Sequence, residues 1–210
     1  MLVNRRWITL VSAVVLSVGL GQSGAALAQA TEGPDALIKR LSTEVLDTIK
    51  ADKSIQSGGT SKVNALVASK IMPNVDLARM TSAAVGRYWR SATPEQKKRL
   101  QEEFKTLLVR TYVGALADVR DLTISMKPFR AAADDNKVVV KTEIKGRGDP
   151  IQLDYRMEKS ATGWEIYDLN VRGEWLVETY RPQFGEEIRA YGFEGFINKL
   201  EGRNKGSKKS

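Results

Sequence analysis

The residues whose types could do chemistry are the adjacent acidic pairs, Glu102-Glu103, Asp134-Asp135 and Glu186-Glu187. Acid–base catalysis needs two groups converging on one bond, and neighbouring residues on a helix do not face each other. Asp134-Asp135 precedes Asn136 in a hairpin-turn pattern, where Asp is ordinary. These carboxylates read as solvated surface. The chain has no histidine and no cysteine. That excludes Ser-His-Asp and Cys-His sites, His-ligated zinc and an imidazole base. Gly146-Arg147-Gly148 lacks the glycine spacing of a phosphate loop, and no helix follows it directly. Lysine and serine recur, but none falls in a nucleophile motif. The expectation is therefore no catalytic residues, no metal and no cofactor.

The ends of the chain say where it works. Arg5 and Arg6 precede an uncharged run from Trp7 to Gly21, and small residues lead to Ala28-Gln29-Ala30. That is the pattern of a cleaved secretory signal peptide over 1–30, with cleavage after Ala28 as the alternative site. An uncleaved anchor is the rival reading, but the apolar run is short of the ~20 residues a membrane-spanning helix needs. The expected compartment is a bacterial periplasm. The net charge of the 210 residues is +8. Outside residues 1–30 there are 31 basic and 25 acidic residues, and four of the basic ones are Arg203, Lys205, Lys208 and Lys209. Residues 203–210 thus read as a basic disordered tail, and a folded nucleic-acid face is not indicated.

Between these ends the chain must build one domain, 31–202. Leu37, Leu41, Val45 and Ile49 recur at helical spacing, as do Val63, Leu66, Val67 and Ile71. Pro73 ends that helix and Asn74 is placed to cap the next. Thr93-Pro94-Glu95-Gln96 predicts a capping box opening a long helix, with Leu100, Phe104, Leu107, Leu108, Tyr112 and Leu116 on one side. The period then changes to two. Leu122 to Met126, Val138 to Ile144, Ile151 to Met157 and Trp164 to Val171 make four alternating runs separated by turn residues. Helical spacing returns after Gly173 with Trp175, Leu176, Thr179, Tyr180 and Phe184, and Gly185 and Gly192 punctuate the rest of the domain. The expectation is an α+β fold: a four-stranded antiparallel sheet with helices on one face. Its apolar side chains serve a closed core or line an apolar cavity, and periodicity does not separate these.

An ordered set of short motifs carries a resemblance. Val85-Gly86-Arg87-Tyr88-Trp89-Arg90, Ala92-Thr93-Pro94-Glu95-Gln96, and then Phe104, Leu108 and Tyr112 form its first half. Tyr167-Asp168-Leu169-Asn170-Val171, Gly173, Leu176-Val177, Tyr180-Arg181, Gln183-Phe184, Ile188 and Gly192 to Ile197 form its second. In this order they resemble the MlaC family of periplasmic phospholipid-binding proteins, also known as toluene-tolerance proteins. Glu174 and Trp175 depart from the small residues usual there.

The resemblance implies an NTF2-like α+β fold around an apolar lipid cavity. It implies a phospholipid carrier between an inner-membrane ABC transporter with its ring subunit and an outer-membrane lipoprotein–porin complex, with phospholipid as ligand and the carrier a monomer. Two acyl chains hold about thirty CH₂ groups, so bringing them into water costs ~24 kcal/mol at ~0.8 per group. A cavity of aliphatic and aromatic side chains offsets that cost without a required headgroup contact. The expected lining is Phe104, Leu108, Tyr112, Leu122, Ile124, Val140, Leu153, Tyr155, Leu169, Leu176 and Tyr180, with Met80 and Trp175 at the mouth. Arg87, Arg90, Lys97 and Lys98 are the expected docking charges. Two rival readings stay open. One is an NTF2-like periplasmic enzyme using a buried carboxylate, Asp154 or Asp168, although alternation puts both opposite the apolar face. The other is an interaction or chaperone module with a closed core.

Overall fold

The structure is a computed structural model, and it describes residues 32–56, 59–112, 122–132, 134–146 and 149–206. The proposed signal peptide, Leu116 and residues 207–210 lie outside the described residues. Helix α1, Pro34–Ala51, starts with a proline that presets the first helical turn and an Asp35 suited to the N-terminal dipole. It buries Leu37, Ile38, Leu41 and Ile49. Short helices α2, Lys53–Gln56, and α3, Thr60–Leu66, follow. A π-helical turn, Val67–Ile71, and a 3₁₀ turn, Met72–Asn74, lead to α4, Leu77–Val85. The cap of α4 is Asp76, whose carboxylate accepts from the Arg79 N–H at 2.9 Å. Asn74, the residue expected to cap it, instead donates to the Lys70 carbonyl.

Gly86 ends α4 at φ 58, ψ −128, a backbone region that favours glycine. A 3₁₀ turn, Gly86–Ser91, then carries the chain to α5, Pro94–Tyr112. The expected capping box forms: the Gln96 N–H donates to Thr93 Oγ1 at 3.2 Å, and the Thr93 N–H donates to Gln96 Oε1 at 3.0 Å.

Among the described residues the sheet has five strands, not four, in the order β1-β2-β3-β4-β5, every neighbouring pair antiparallel. β1 is Thr123–Met126, β2 Lys137–Lys145, β3 Ile151–Lys159 and β4 Trp164–Val171. The added β5, Glu174–Trp175, holds only two residues, too few to show period-two alternation. It forms because Arg172 (φ 56) and Gly173 (φ 93) turn the chain back, so that Trp175 pairs with Asn170. Helix α6, Leu176–Gly206, therefore starts after Trp175 and is broken at Gly192 (φ 68, ψ 171). It also runs past residue 202. Arg203 to Gly206 are helical rather than disordered: the Arg203 guanidinium pairs with Glu187 at 2.7 Å, and Asn204 is buried against Glu103. None of the described helices is long and apolar enough to cross a membrane.

Among the described residues, three clusters of buried side chains hold these elements. The first joins α4, α5 and α6 through Met80, Ala84, Leu100, Phe104, Leu176, Tyr180, Phe184, Phe196 and others. Phe104 meets Tyr180 and Phe184 edge-on, with ring centroids 5.2 Å apart in both pairs. The second packs Leu37, Ile38 and Leu41 of α1 on Val140, Tyr155, Met157 and Ile166 of the sheet. The third gathers Ile49, Ile55, Val63 and Leu66.

Candidate functional site

The apolar sheet face is built of rows that cross the strands. Register aligns Ile124, Ile144 and Ile151 in one row, and Met126, Thr142, Leu153 and Val171 in the next. Val140, Tyr155 and Leu169 form the third row, and Val138, Met157 and Ile166 the fourth. The last two rows contain the fully buried Val140, Met157 and Ile166, covered by α1. In the first two, the side chains are half-buried except Thr142. The same gradient runs along α5. Leu100 and Phe104 are 0% exposed, whereas Leu107, Leu108, Val109 and Tyr112 are half-buried. Burial pushes the Tyr112 hydroxyl above the usual phenol range.

These half-open side chains flank the buried clusters. Leu107, Leu108, Tyr112, Leu169 and Val171 pack against the helical cluster. Leu153 and Leu169 also pack against the α1–sheet cluster, and Val109 and Leu122 against the third. Half-open apolar side chains thus rim each of these clusters. One polar group lies within the α1–sheet cluster. Tyr155 is buried, its hydroxyl meets Ser42 and Thr142, and burial pushes its pKa up to about 12.

Of the expected lining, the structure places Leu108, Tyr112, Leu122, Ile124, Leu153 and Leu169 in half-buried positions. Val140 and Tyr155 are buried beneath α1. Phe104, Leu176, Tyr180 and Met80, the last 2% exposed, lie inside the helical cluster. Trp175 lies on the polar sheet face, where the Arg156 guanidinium stacks 3.8 Å from its ring. The pairing of β5 with β4, which put it there, left no periodic signal in the sequence. Arg87, Arg90 and Lys98 are exposed, and Lys97 sits 5.3 Å from the Trp89 ring.

The polar face also holds both acids of the enzymatic reading. Asp168 is 1% exposed; Oδ1 accepts from the N–H groups of Leu169 and Val177, and Oδ2 pairs with Arg156 at 3.0 Å. Burial, only partly opposed by these donors, raises its pKa. Asp154 is 3% exposed; Oδ2 accepts from Gln152 at 2.6 Å, and Oδ1 is buried without a partner. It borders a polar cleft of about 440 Å³ with Lys127, Lys141, Glu143 and Gln152. The anchoring of α6 by Asp168 was not legible in the sequence, because Asp168 and Val177 meet only when the chain reverses at Gly173.

Residues 39–202 match the MlaC protein family. The chain belongs to the MlaC family. Among solved structures, it is similar to the phospholipid-binding protein from Ralstonia solanacearum in complex with a phospholipid. The two are 48% identical with a TM-score of 0.80, over 83% of this chain and 98% of that one. The toluene tolerance protein ttg2D of Pseudomonas putida is 27% identical over 169 residues, 79% of this chain and 78% of the relative. The intermembrane phospholipid transport system binding protein MlaC of Haemophilus influenzae is 21% identical over 201 residues, 94% and 92% of the two chains. The MlaC match runs from within α1 to most of α6, so the half-buried residues of the sheet and α5 lie wholly within the family domain.

Proposed function

We propose that this chain is a periplasmic phospholipid carrier whose cargo's acyl chains lie between the sheet and the C-terminal half of α5. The observation that carries the reading is the set of half-buried apolar side chains, Leu108, Tyr112, Leu122, Ile124, Leu153 and Leu169, outside the three clusters of buried residues. Mutually packed side chains would be fully buried; half-open ones offer apolar surface to a ligand. The bound phospholipid of the Ralstonia relative supports the same use of this fold. Phe104, Val140, Tyr155, Leu176, Tyr180 and Met80 back this surface as a rigid wall, giving an NTF2-like cone around an apolar cavity.

Membership of the MlaC family supports, as partners, an inner-membrane ABC transporter with its ring subunit and an outer-membrane lipoprotein–porin complex. The transporter supplies the energy, and the carrier itself is a monomer without a cofactor. Weak, partly electrostatic docking suits a carrier that visits two membranes, and Arg87, Arg90, Lys97 and Lys98 are placed for it. A signal peptide over 1–30 delivers the chain to the periplasm. The enzymatic reading has less support, because the Asp168 carboxylate is occupied by two backbone donors and Arg156.

Mass spectrometry of solvent extracts from the purified protein tests the proposal. Co-purified phospholipid is expected, and Leu153→Asp should abolish it while circular dichroism shows a folded chain. Full lipid occupancy in a folded Leu153→Asp protein would place the cargo elsewhere. Extracts without lipid, together with a closed core, would favour the interaction-module reading.

A further inference from the structure

The turn after α4 concentrates positive charge. Gly86 adopts φ 58, and the next residues are Arg87, Tyr88, Trp89 and Arg90. Arg87 Nη2 donates to the Tyr88 hydroxyl at 3.2 Å, and Arg189, from α6, reaches the same hydroxyl. The two guanidiniums together hold that phenol below its usual range. Arg181, about two turns earlier on α6, donates from Nε to the Ala83 carbonyl. Arg87, Arg90, Arg181 and Arg189 are all exposed, and none has an ion pair with a carboxylate among the described residues. Elsewhere on the same bundle arginines are paired: Arg99 with Glu194 and Glu201, and Arg203 with Glu187.

Two guanidiniums converging on one neutral oxygen repel each other, and an anion between them turns that repulsion into attraction. Guanidinium also matches phosphate geometry, with two parallel N–H donors per group. Beside the pair stand Tyr88 and Trp89, both half-buried, with polar tips and apolar bodies. Aromatics of this kind flanked by cations are favoured where a surface meets a lipid headgroup layer.

We infer that Arg87 and Arg189, with Tyr88 between them, form an anion clamp that docks this face on the lipid phosphates of an anionic membrane. The clamp rests on the carrier reading, since it supplies the step at which a loaded or empty carrier meets a bilayer. It is distinct from the cargo surface. Tyr88 precedes α5, whereas Tyr112 is its last residue, and an α-helix of 19 residues spans about 28 Å.

Vesicle flotation tests the inference, using phosphatidylcholine vesicles and equimolar phosphatidylcholine–phosphatidylglycerol vesicles. The wild-type protein should float only with the second, and less as salt rises. Each cation at an anionic surface contributes about 1 kcal/mol, so Arg87→Gln with Arg189→Gln should lower partitioning roughly 30-fold. The charge-matched control Lys208→Gln with Lys209→Gln should retain it. Equal partitioning of the arginine variant and the wild type would overturn the clamp, as would equal flotation with both vesicle types. Failure to float, with salt-sensitive binding to polyglutamate instead, would also overturn it and assign the face to an acidic protein. Lipid extracted from the same samples keeps the two readings apart. Cargo retained by the arginine variant while flotation is lost supports both. Flotation by a protein that carries no cargo would sink the carrier reading and leave the clamp.

Discussion

At the scale of single residues, Asp168 is a carboxylate buried to 1% exposure. Its carboxylate fixes the start of α6 to the sheet by accepting from Val177 N–H at 3.1 Å, and Arg156 links it to Glu178 at 2.8 Å. Burial nevertheless raises its pKa above the unfolded value. A group shifted this way stabilises the fold at low pH and loses that contribution as pH rises through its folded pKa. Asp168→Asn keeps an acceptor for the backbone but does not titrate. Its unfolding free energy relative to wild type should therefore improve as pH rises from about 4, the ordinary carboxylate range, towards 7. Urea melts of both proteins across that window measure the difference. A constant difference would mean that Arg156 and the backbone donors balance desolvation at this site, and one moving the other way that they outweigh it.

At the scale of elements, the helix ends are set by local chemistry. The reciprocal bonds of Thr93 and Gln96 satisfy donors that α5 would otherwise leave open. Thr93→Ala should cost about 1 kcal/mol, the typical value for a lost N-cap. For a domain of this size that lowers the melting temperature by roughly 2–4 °C. Calorimetry should show this loss with lipid content unchanged, because the cap lies at the end of α5 away from Tyr112. The break in α6 is a backbone effect too. Gly192 has φ 68, and an added Cβ would meet nothing within 4 Å. Its glycine preference is therefore conformational rather than steric crowding by neighbours.

At the scale of the molecule, three buried clusters are joined by a few shared side chains. Leu169 and Val75 pack on both the helical and the α1 clusters, and Val45 on the α1 cluster and the third. A ligand covering the half-open side chains adds contacts that the empty protein lacks, so binding stabilises the folded state. Protein stripped of lipid by solvent should melt at a lower temperature than the protein as purified. Reloading with phospholipid should restore the original melt, and an unchanged melting temperature after complete stripping would argue against this surface as the cargo site.

Much of this was legible in the chain. The capping box, the break at Gly192 and the four longer strands come from residue types and spacing, because caps and alternation depend on neighbours in sequence. The absence of histidine and cysteine likewise set the chemistry that no fold could restore. The tertiary structure decided the rest. An irregular register near Arg156 and Met157 places Ile166 opposite Met157 and Leu169 opposite Tyr155. Ile166 and Leu169 thereby share the apolar face despite their odd spacing, since an inserted residue shifts the pleat. Leu100 and Leu108 look alike as members of one apolar stripe, yet the first is sealed and the second half-open. Periodicity reports which side a residue faces. Only the placement of α1, α5 and α6 over the sheet determines what covers that side, and so which apolar residues remain for a ligand.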